Sequence, residues 1–254
     1  MRGDPANSGV LSDIDGTLAP IADRPDDAEV PERARAALAK LVELCGLVAC
    51  VSGRRALDAR WLVGVEGVVY AGNHGFEVLL PGQDEAQADP ALGRRVEAAP
   101  AFAGTLDERE LAAAEVRLED KGAIQALHWR GAADGEHARA LALTIALDAQ
   151  SAGLVPRWGR KVLELRPVAG IDKGSAVTRL VREHGLAHAL FGGDDDTDID
   201  AFNALRWMKR SGRLETSVCV GVDSDEAPPD LAERTDLVVD GTQGFLEILE
   251  ALAA

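Results

Sequence analysis

The chain has 254 residues, 46% hydrophobic and 28% charged, enough apolar material to bury a substantial core in one large or two modest domains. Its 27 Lys+Arg against 43 Asp+Glu leave a net charge of −16, which excludes a nucleic-acid backbone as the main partner and requires any bound phosphate to be captured by local cations. The N-terminal "MRGDPANSG" has no apolar leader core and no stretch reaches the roughly 20 apolar residues of a membrane span, so a chain without membrane contact is expected.

In chain order, an apolar run over Val10–Ser12 reads as a first strand, and Pro31 opens a helix over "ERARAALAKLVEL". "GLVACVSGR" is a buried strand ending at Ser52, and "GVVYAGNHG" another, ending in a turn with Asn73, His74 and Gly75. Beyond residue 167 come a helix over "DKGSAVTRLVREHG" closed by Gly185, a strand "ALFGGDDD" and a helix "TDIDAFNALRWMKRSG". A strand "TSVCVGV", the run "DLVVD" and a helix "TQGFLEILEALAA" complete the pattern. Strands alternating with helices specify an α/β fold with a largely parallel, Rossmann-like sheet. Residues 81–167 break the alternation. A helical segment near "LDERELAAAEVRLED", a strand "AIQALHWR", a helix "EHARALALTIALDAQ" and paired strands "LVPRWG" and "KVLELRP" predict an inserted α+β domain between Pro81 and Pro167, leaving 1–80 and 168–254 as the core. Cys45, Cys50 and Cys219 are odd in number, lack a C-x-x-C spacing and sit in apolar stretches, which reads as reduced core thiols and a cytoplasmic location.

The chemistry concentrates at predicted strand ends. In "VLSDIDGTLAP", Asp13 and Asp15 stand two apart in extended backbone, so both side chains point one way while Ile14 turns into the core. Sites in parallel sheets form beyond the carboxyl ends of the strands, where this pair lies. Two like charges held together need a cation or a shared proton, although a D-x-D-G alone also fits a turn whose aspartates cap backbone amides. Ser52 in "VSGR", Lys173 in "DKG", and Asp194, Asp195 and Asp198 in "GGDDDTD" fall at corresponding positions. Carboxylates with one lysine and one hydroxyl suit Mg²⁺, which takes oxygen ligands and keeps phosphate oxygens, with the lysine and hydroxyl left for the phosphate.

"DIDGT", "VSGR", the lysine of "DKG" and "GDDDTD" resemble, in order, the four motifs of the haloacid dehalogenase superfamily, and the inserted unit lies where one branch carries its cap domain. Finer features, "DIDGTLAPI", "AGNHGFE", "LEDKG", "LHWR", "GRKVLELRP" and "GDDDTDIDAF", resemble the trehalose-6-phosphate phosphatase family. The resemblance implies a magnesium-dependent hydrolase of trehalose biosynthesis, acting as a monomer on a small-molecule sugar phosphate. Asp13 becomes the nucleophile that forms an aspartyl-phosphate and Asp15 the proton carrier. Asp13, Asp15, Asp194 and Asp198 become the metal ligands, and Thr17, Ser52, Gly53, Arg54 and Lys173 the phosphate contacts. Glu119, Lys121, Arg130, Arg160 and Glu164 of the cap, with Asn73 and His74, become the sugar contacts. Strand parity adds that Arg160, Val162 and Glu164 share one face. Ile199 stands where the family commonly has glutamate, and Arg160 where it often has lysine, which bears on the choice of sugar. A phosphatase of mannosyl-3-phosphoglycerate, glucosylglycerol phosphate or sucrose phosphate, a receiver-type phospho-acceptor and a non-catalytic sugar-phosphate-binding regulator are the rival readings. No G-x-G-x-x-G or G-x-x-x-x-G-K-[ST] phosphate loop follows a strand.

Overall fold

Strand β1 (Ser8–Ser12) is buried at every residue and pairs in parallel with a strand on each side, so its alternate side chains feed two separate cores. A computed structural model describes residues 3–22, 27–167, 170–224 and 227–254. After β1 come α1 (Glu32–Leu44), β2 (Leu47–Val51), α2 (Ala56–Val63), β3 (Val69–Gly72), β4 (Glu77–Leu79) and β5 (Gln87–Ala88). The middle of the chain forms α3 (Ala98–Ala103), α4 (Glu108–Ala113), β6 (Arg117–Lys121), β7 (Ile124–His128), α5 (Gly135–Ser151), β8 (Val155–Gly159) and β9 (Val162–Arg166). The chain then continues through α6 (Lys173–Glu183), β10 (His188–Gly193), α7 (Asp198–Arg210), β11 (Thr216–Asp223), α8 (Leu231–Arg234), β12 (Leu237–Asp240) and α9 (Gly241–Ala253).

Contacts divide the chain into two units, Met1–Gln87 with Ile171–Ala254, and Ala88–Gly170. The first holds an eight-stranded sheet in the order β12-β11-β10-β1-β2-β3-β4-β5, parallel from β12 to β3, with β4 antiparallel to β3. Val10, Val48, Cys50 and Leu190 point to the core under α1, α2 and α9, while Leu11, Ala49, Val51 and Phe191 point to the core under α6 and α7. Each face therefore buries one set of a two-residue repeat. Such strands read as unbroken apolar runs, because neither face meets water. β1 extends two residues before the predicted Val10, since Ser8 and Gly9 still pair with His188 and Ala189 of β10. The first crossing between units lies past Pro81, because β5 still adds to the large sheet.

The second unit has an antiparallel sheet in the order β6-β7-β9-β8. Leu127, Leu163 and Leu165 pack there with Ala138, Ala142, Ile145 and Ala149 of α5. Segment 114–121 departs from the helix predicted over "LDERELAAAEVRLED". α4 stops at Ala113, Glu115 takes a positive φ of 54°, and Arg117–Lys121 is strand β6. The reason is pairing: Leu118 lies opposite Leu127 while Glu119 faces Ala126, and this two-residue alternation overrides the helix propensity of the preceding Ala/Glu run.

The three cysteines are free, and among the described residues no helix is long and apolar enough to cross a membrane. Cys50 and Cys219 are fully buried, and burial pushes each thiol up to about 12, whereas Cys45 is half-buried. Native protein at pH 8 treated with a chromogenic thiol reagent is expected to modify Cys45 first. Cys50 and Cys219 should react only on unfolding, and equal labelling of all three in native protein would contradict this core.

Candidate active site

The residues singled out at strand ends come together at the carboxyl edge of the large sheet. β1 delivers Asp13, whose N–H donates to the carbonyl of Gly192 at 2.9 Å, joining the loop after β1 to the end of β10. Ile14 is fully buried, and its N–H donates to Asp13 Oδ1 at 2.7 Å, which fixes the carboxylate. Asp172 caps α6 reciprocally with Ser175, so Lys173 enters on the first turn. Lys173 Nζ donates to Asp13 Oδ2 at 2.7 Å and to Asp198 Oδ1 at 2.7 Å, and lies 3.8 Å from Asp195 Oδ1. Lys173 is 1% exposed and Asp198 0%, so these charges meet out of water.

The β10–α7 loop supplies the other acids. Asp198 Oδ2 accepts from the N–H groups of Asp194 (2.9 Å) and Asp195 (3.1 Å), and Asp195 Oδ1 accepts from Thr197 and from the Asp198 N–H. Asp194 accepts from Thr17 Oγ1 at 3.0 Å and from Ser224 Oγ at 2.9 Å. Two glycines admit this packing. Gly16 has φ +79° and a Cβ there would collide with the Asp194 carboxylate, while a Cβ on Gly193 would enter the Asp198 side chain.

Asp13, Asp194 and Asp198 are buried, and one carboxylate oxygen of each lies within 4.8 Å of the others. Three buried carboxylates face one lysine, so the cluster has more negative than positive charge. Burial, with the neighbouring acids, pushes Asp13 up to about 7 against the pull of Lys173. Burial likewise pushes Asp194 up to about 6, opposed by its hydrogen bonds from Ser224 and Thr17. Asp195 goes the other way: burial is outweighed by Lys173 and the Thr197 hydrogen bond, and its carboxyl falls to about 2. An all-oxygen, buried, over-acidic donor set fits a hard divalent cation.

Ser52 follows directly on β2, its N–H donating to Ala71 O, and its hydroxyl accepts from the Arg54 N–H at 3.2 Å. Asn73 and His74 both take positive φ (51° and 58°) in the turn after β3, with the His74 N–H donating to Ser52 O at 2.8 Å, and the His74 ring lies over Gly53, where a Cβ would press on it. Arg54 forks onto Asp15, Nε to Oδ2 and a terminal nitrogen to Oδ1, both at 2.7 Å. Of the residues expected to contact phosphate, Arg54 and Thr17 thus engage Asp15 and Asp194, Lys173 donates to Asp13, and Ser52 and Gly53 follow β2 at the sheet edge. Ile199 is partly buried against the core under α6 and α7 and is no part of the acidic cluster.

In the second unit, strand pairing sets Glu119, Ala126, Glu164 and Arg157 on one face. Lys121 Nζ donates to Glu164 Oε1 at 3.3 Å, and Arg166 donates twice to Glu164 Oε2, at 3.0 and 2.6 Å. His128 Nε2 lies 2.6 Å from Glu119 Oε2, and this contact above all lowers the Glu119 carboxyl to about 2. Arg130 is exposed beyond β7. Arg160 does not share the strand parity of Val162 and Glu164: it lies in the β8–β9 turn, where Lys161 takes φ 57°, and a turn does not preserve alternation. Ser224, His128 and Arg166 are engaged beyond the residues selected from sequence. Ser224 follows β11, so the strand-end rule reaches it, whereas the Arg166–Glu164 pairing has no sequence signal beyond i, i+2 spacing.

The family model described as trehalose-phosphatase matches residues 11–233. The chain belongs to that family. An uncharacterized glycosyl hydrolase of Mycobacterium tuberculosis is 39% identical over 208 residues, 78% of this chain and 15% of that protein. A trehalose-phosphate phosphatase of Mycobacterium avium is 38% identical over 203 residues, 78% of this chain and 51% of that protein. The chain thus spans about half, or much less, of the length of these relatives. The C-terminal domain of Candida albicans trehalose-6-phosphate phosphatase superposes with a TM-score of 0.72 at 21% identity, covering 99% of this chain and 93% of that one. That likeness shows the fold, a Rossmann-like core with a largely parallel sheet and a separate antiparallel sheet.

The raised carboxyls imply a stability linkage. A folded-state value of about 7 for Asp13 and 6 for Asp194, against an ordinary 3.8, means that the folded metal-free chain holds protons the unfolded chain has released. Metal-free protein should therefore lose stability as pH rises from about 4 through 7, the range set by these shifts. Asp195 and Glu119, lowered to about 2, act only below the ordinary carboxylate value and leave that window unaffected. In thermal melts a divalent cation should raise Tm more at pH 8 than at pH 5, and an equal shift at both would contradict the assignment.

Proposed function

We propose that this chain hydrolyses trehalose 6-phosphate to trehalose and inorganic phosphate with Mg²⁺ as cofactor. The observation that carries the reading is the buried Asp13 carboxylate, fixed by the Ile14 N–H and Lys173 at the mouth of β1 beside Asp194 and Asp198. Membership of the trehalose-phosphatase family supports the substrate.

Asp13 attacks phosphorus in line, its carboxylate oxygen forming the new P–O bond as the sugar oxygen leaves, and Asp15 protonates that leaving oxygen. Asp15 then takes a proton from the water that attacks the aspartyl-phosphate, releasing phosphate and regenerating both acids. Asp13, the Asp15 carbonyl, Asp194 and Asp198 would hold Mg²⁺, whose charge offsets repulsion between the Asp13 carboxylate and an incoming phosphate dianion. Lys173 and the Ser52 hydroxyl bind non-bridging phosphate oxygens. Arg54 aims Asp15 through its two-point fork. Glu119, Lys121, Arg130, Arg160 and Glu164, with Asn73 and His74, take the role of sugar contacts. The clamped Glu164, with both oxygens engaged by cations, offers a fixed acceptor for a hydroxyl.

Phosphate release from trehalose 6-phosphate, measured beside glucose 6-phosphate, sucrose 6-phosphate and mannosyl-3-phosphoglycerate with and without Mg²⁺, tests the reading. Trehalose 6-phosphate should be preferred, and equal rates on all four would leave only a general sugar-phosphate phosphatase. Asp13→Asn should abolish turnover and lower Tm, because Lys173 loses one of its two buried partners, while circular dichroism at the assay temperature still shows folded protein. Asp15→Asn should lower kcat by roughly 10²–10⁴-fold, the span of general acid–base assistance. Glu164→Gln should act mainly on KM for the sugar phosphate.

A further inference from the structure

The second unit carries a cavity that the phosphatase chemistry does not use. It has a volume of about 460 Å³ and is lined by Trp129, Trp158, Glu136, Arg139, Lys161 and two glycines, Gly135 and Gly159. That size lies within the range of small-molecule sites. Trp158 pairs across the sheet with Leu163, a core residue, whereas its neighbour Arg157 pairs with Glu164. Alternation therefore sets Trp158 on the face opposite the Glu119–Glu164 face.

The lining is fixed from several directions. Trp129 is buried, and its ring meets Trp158 edge-on at 6.2 Å and 78°, so the inner indole sets the orientation of the outer one. Trp158 remains 43% exposed. The Trp129 N–H donates to Lys161 O at 3.1 Å, tying the end of β7 to the β8–β9 turn. Lys161 holds a positive φ of 57° as the second residue of the two-residue β8–β9 turn. Across the cavity, Asp134 caps α5 by accepting from the His137 N–H at 3.0 Å, which fixes the first turn bearing Glu136 and Arg139.

We propose that this cavity binds a neutral pyranoside, stacked on the exposed face of Trp158. A pyranose ring offers an apolar C–H face to an indole and hydroxyls around its rim, and the rim here meets an acceptor, Glu136, and donors, Arg139 and Lys161. Two cations against one carboxylate disfavour a cationic ligand. The charged lining disfavours a purely apolar guest. The inference stands on unit-two geometry alone and does not depend on the proposed phosphatase substrate.

Calorimetric titration of the full chain with maltose, with adenosine as a flat stacking competitor, tests it. Saturable maltose binding is expected, weakened about ten-fold or more by Trp158→Ala and by Arg139→Ala, the scale of one lost aromatic or charged contact. Trp158→Phe should keep part of the affinity. Circular dichroism melts confirm that each variant is folded. Absence of saturable maltose binding, undiminished binding by folded Trp158→Ala, or binding of adenosine in its place would each overturn the proposal. Phosphate release from trehalose 6-phosphate should be unchanged in Trp158→Ala. Failure of the wild-type chain in that assay, with maltose still bound, would count against the phosphatase reading alone.

Discussion

The buried ion cluster of Lys173 with Asp13 and Asp198 is the interaction on which the rest of the first unit depends. Lys173 comes from the first turn of α6, Asp13 from the end of β1 and Asp198 from the start of α7, so one ammonium joins three elements distant in sequence. Such a cluster is a poor source of net stability, because desolvating the ions offsets much of their attraction. Its asymmetry is what constrains the fold: removing one partner from a buried pair costs roughly 3–5 kcal/mol, since the other charge is left uncompensated. The elements are therefore held in the arrangement that keeps Lys173 paired with both Asp13 and Asp198. The Asp172–Ser175 capping box, the Gly16 turn and the two backbone N–H bonds to Asp198 each serve that arrangement.

Excess acidity at the same place links structure to chemistry. Burial alone would drive the Asp13 and Asp194 carboxyls toward the neutral form, and Lys173 only partly reverses this for Asp13. In the proposed reaction Asp13 must be ionised, which a divalent cation held by these carboxylates would favour. Asp15 is set apart from this cluster by its fork to Arg54 and is 39% exposed at its side chain, a placement suited to a group that exchanges protons with a leaving oxygen and with water. The two aspartates of one short motif thus occupy different environments, which is how like residues acquire unlike roles.

The second unit uses its sheet differently on its two faces. One face packs Leu127, Leu163 and Leu165 on α5, and the other carries Glu119, Glu164 and their cationic partners. Arg166 and Glu164 are both buried, so their pairing fixes a charge rather than decorating a surface. At the end of the same sheet, the β8–β9 turn and the two tryptophans line a cavity apart from the acidic cluster of the first unit.

By itself the sequence determined the parallel sheet and the identities of its strand-end acids, because a strand buried on both faces needs an unbroken apolar run and the first polar residue after it marks the edge. Asp13, Lys173, Asp194 and Asp198 were legible on that rule. Strand β6 was not, since its Arg/Glu/Asp/Lys composition resembles the helix before it and only pairing with β7 makes it extended. The turn position of Arg160 was equally hidden, because alternation along a strand carries no information about where the strand begins. Only the tertiary structure decided that Arg54 faces Asp15, that Thr17 and Ser224 support Asp194, and that Arg166 grips Glu164. These are choices among several partners within reach of long or rotatable polar side chains, and packing, not local pattern, selects among them.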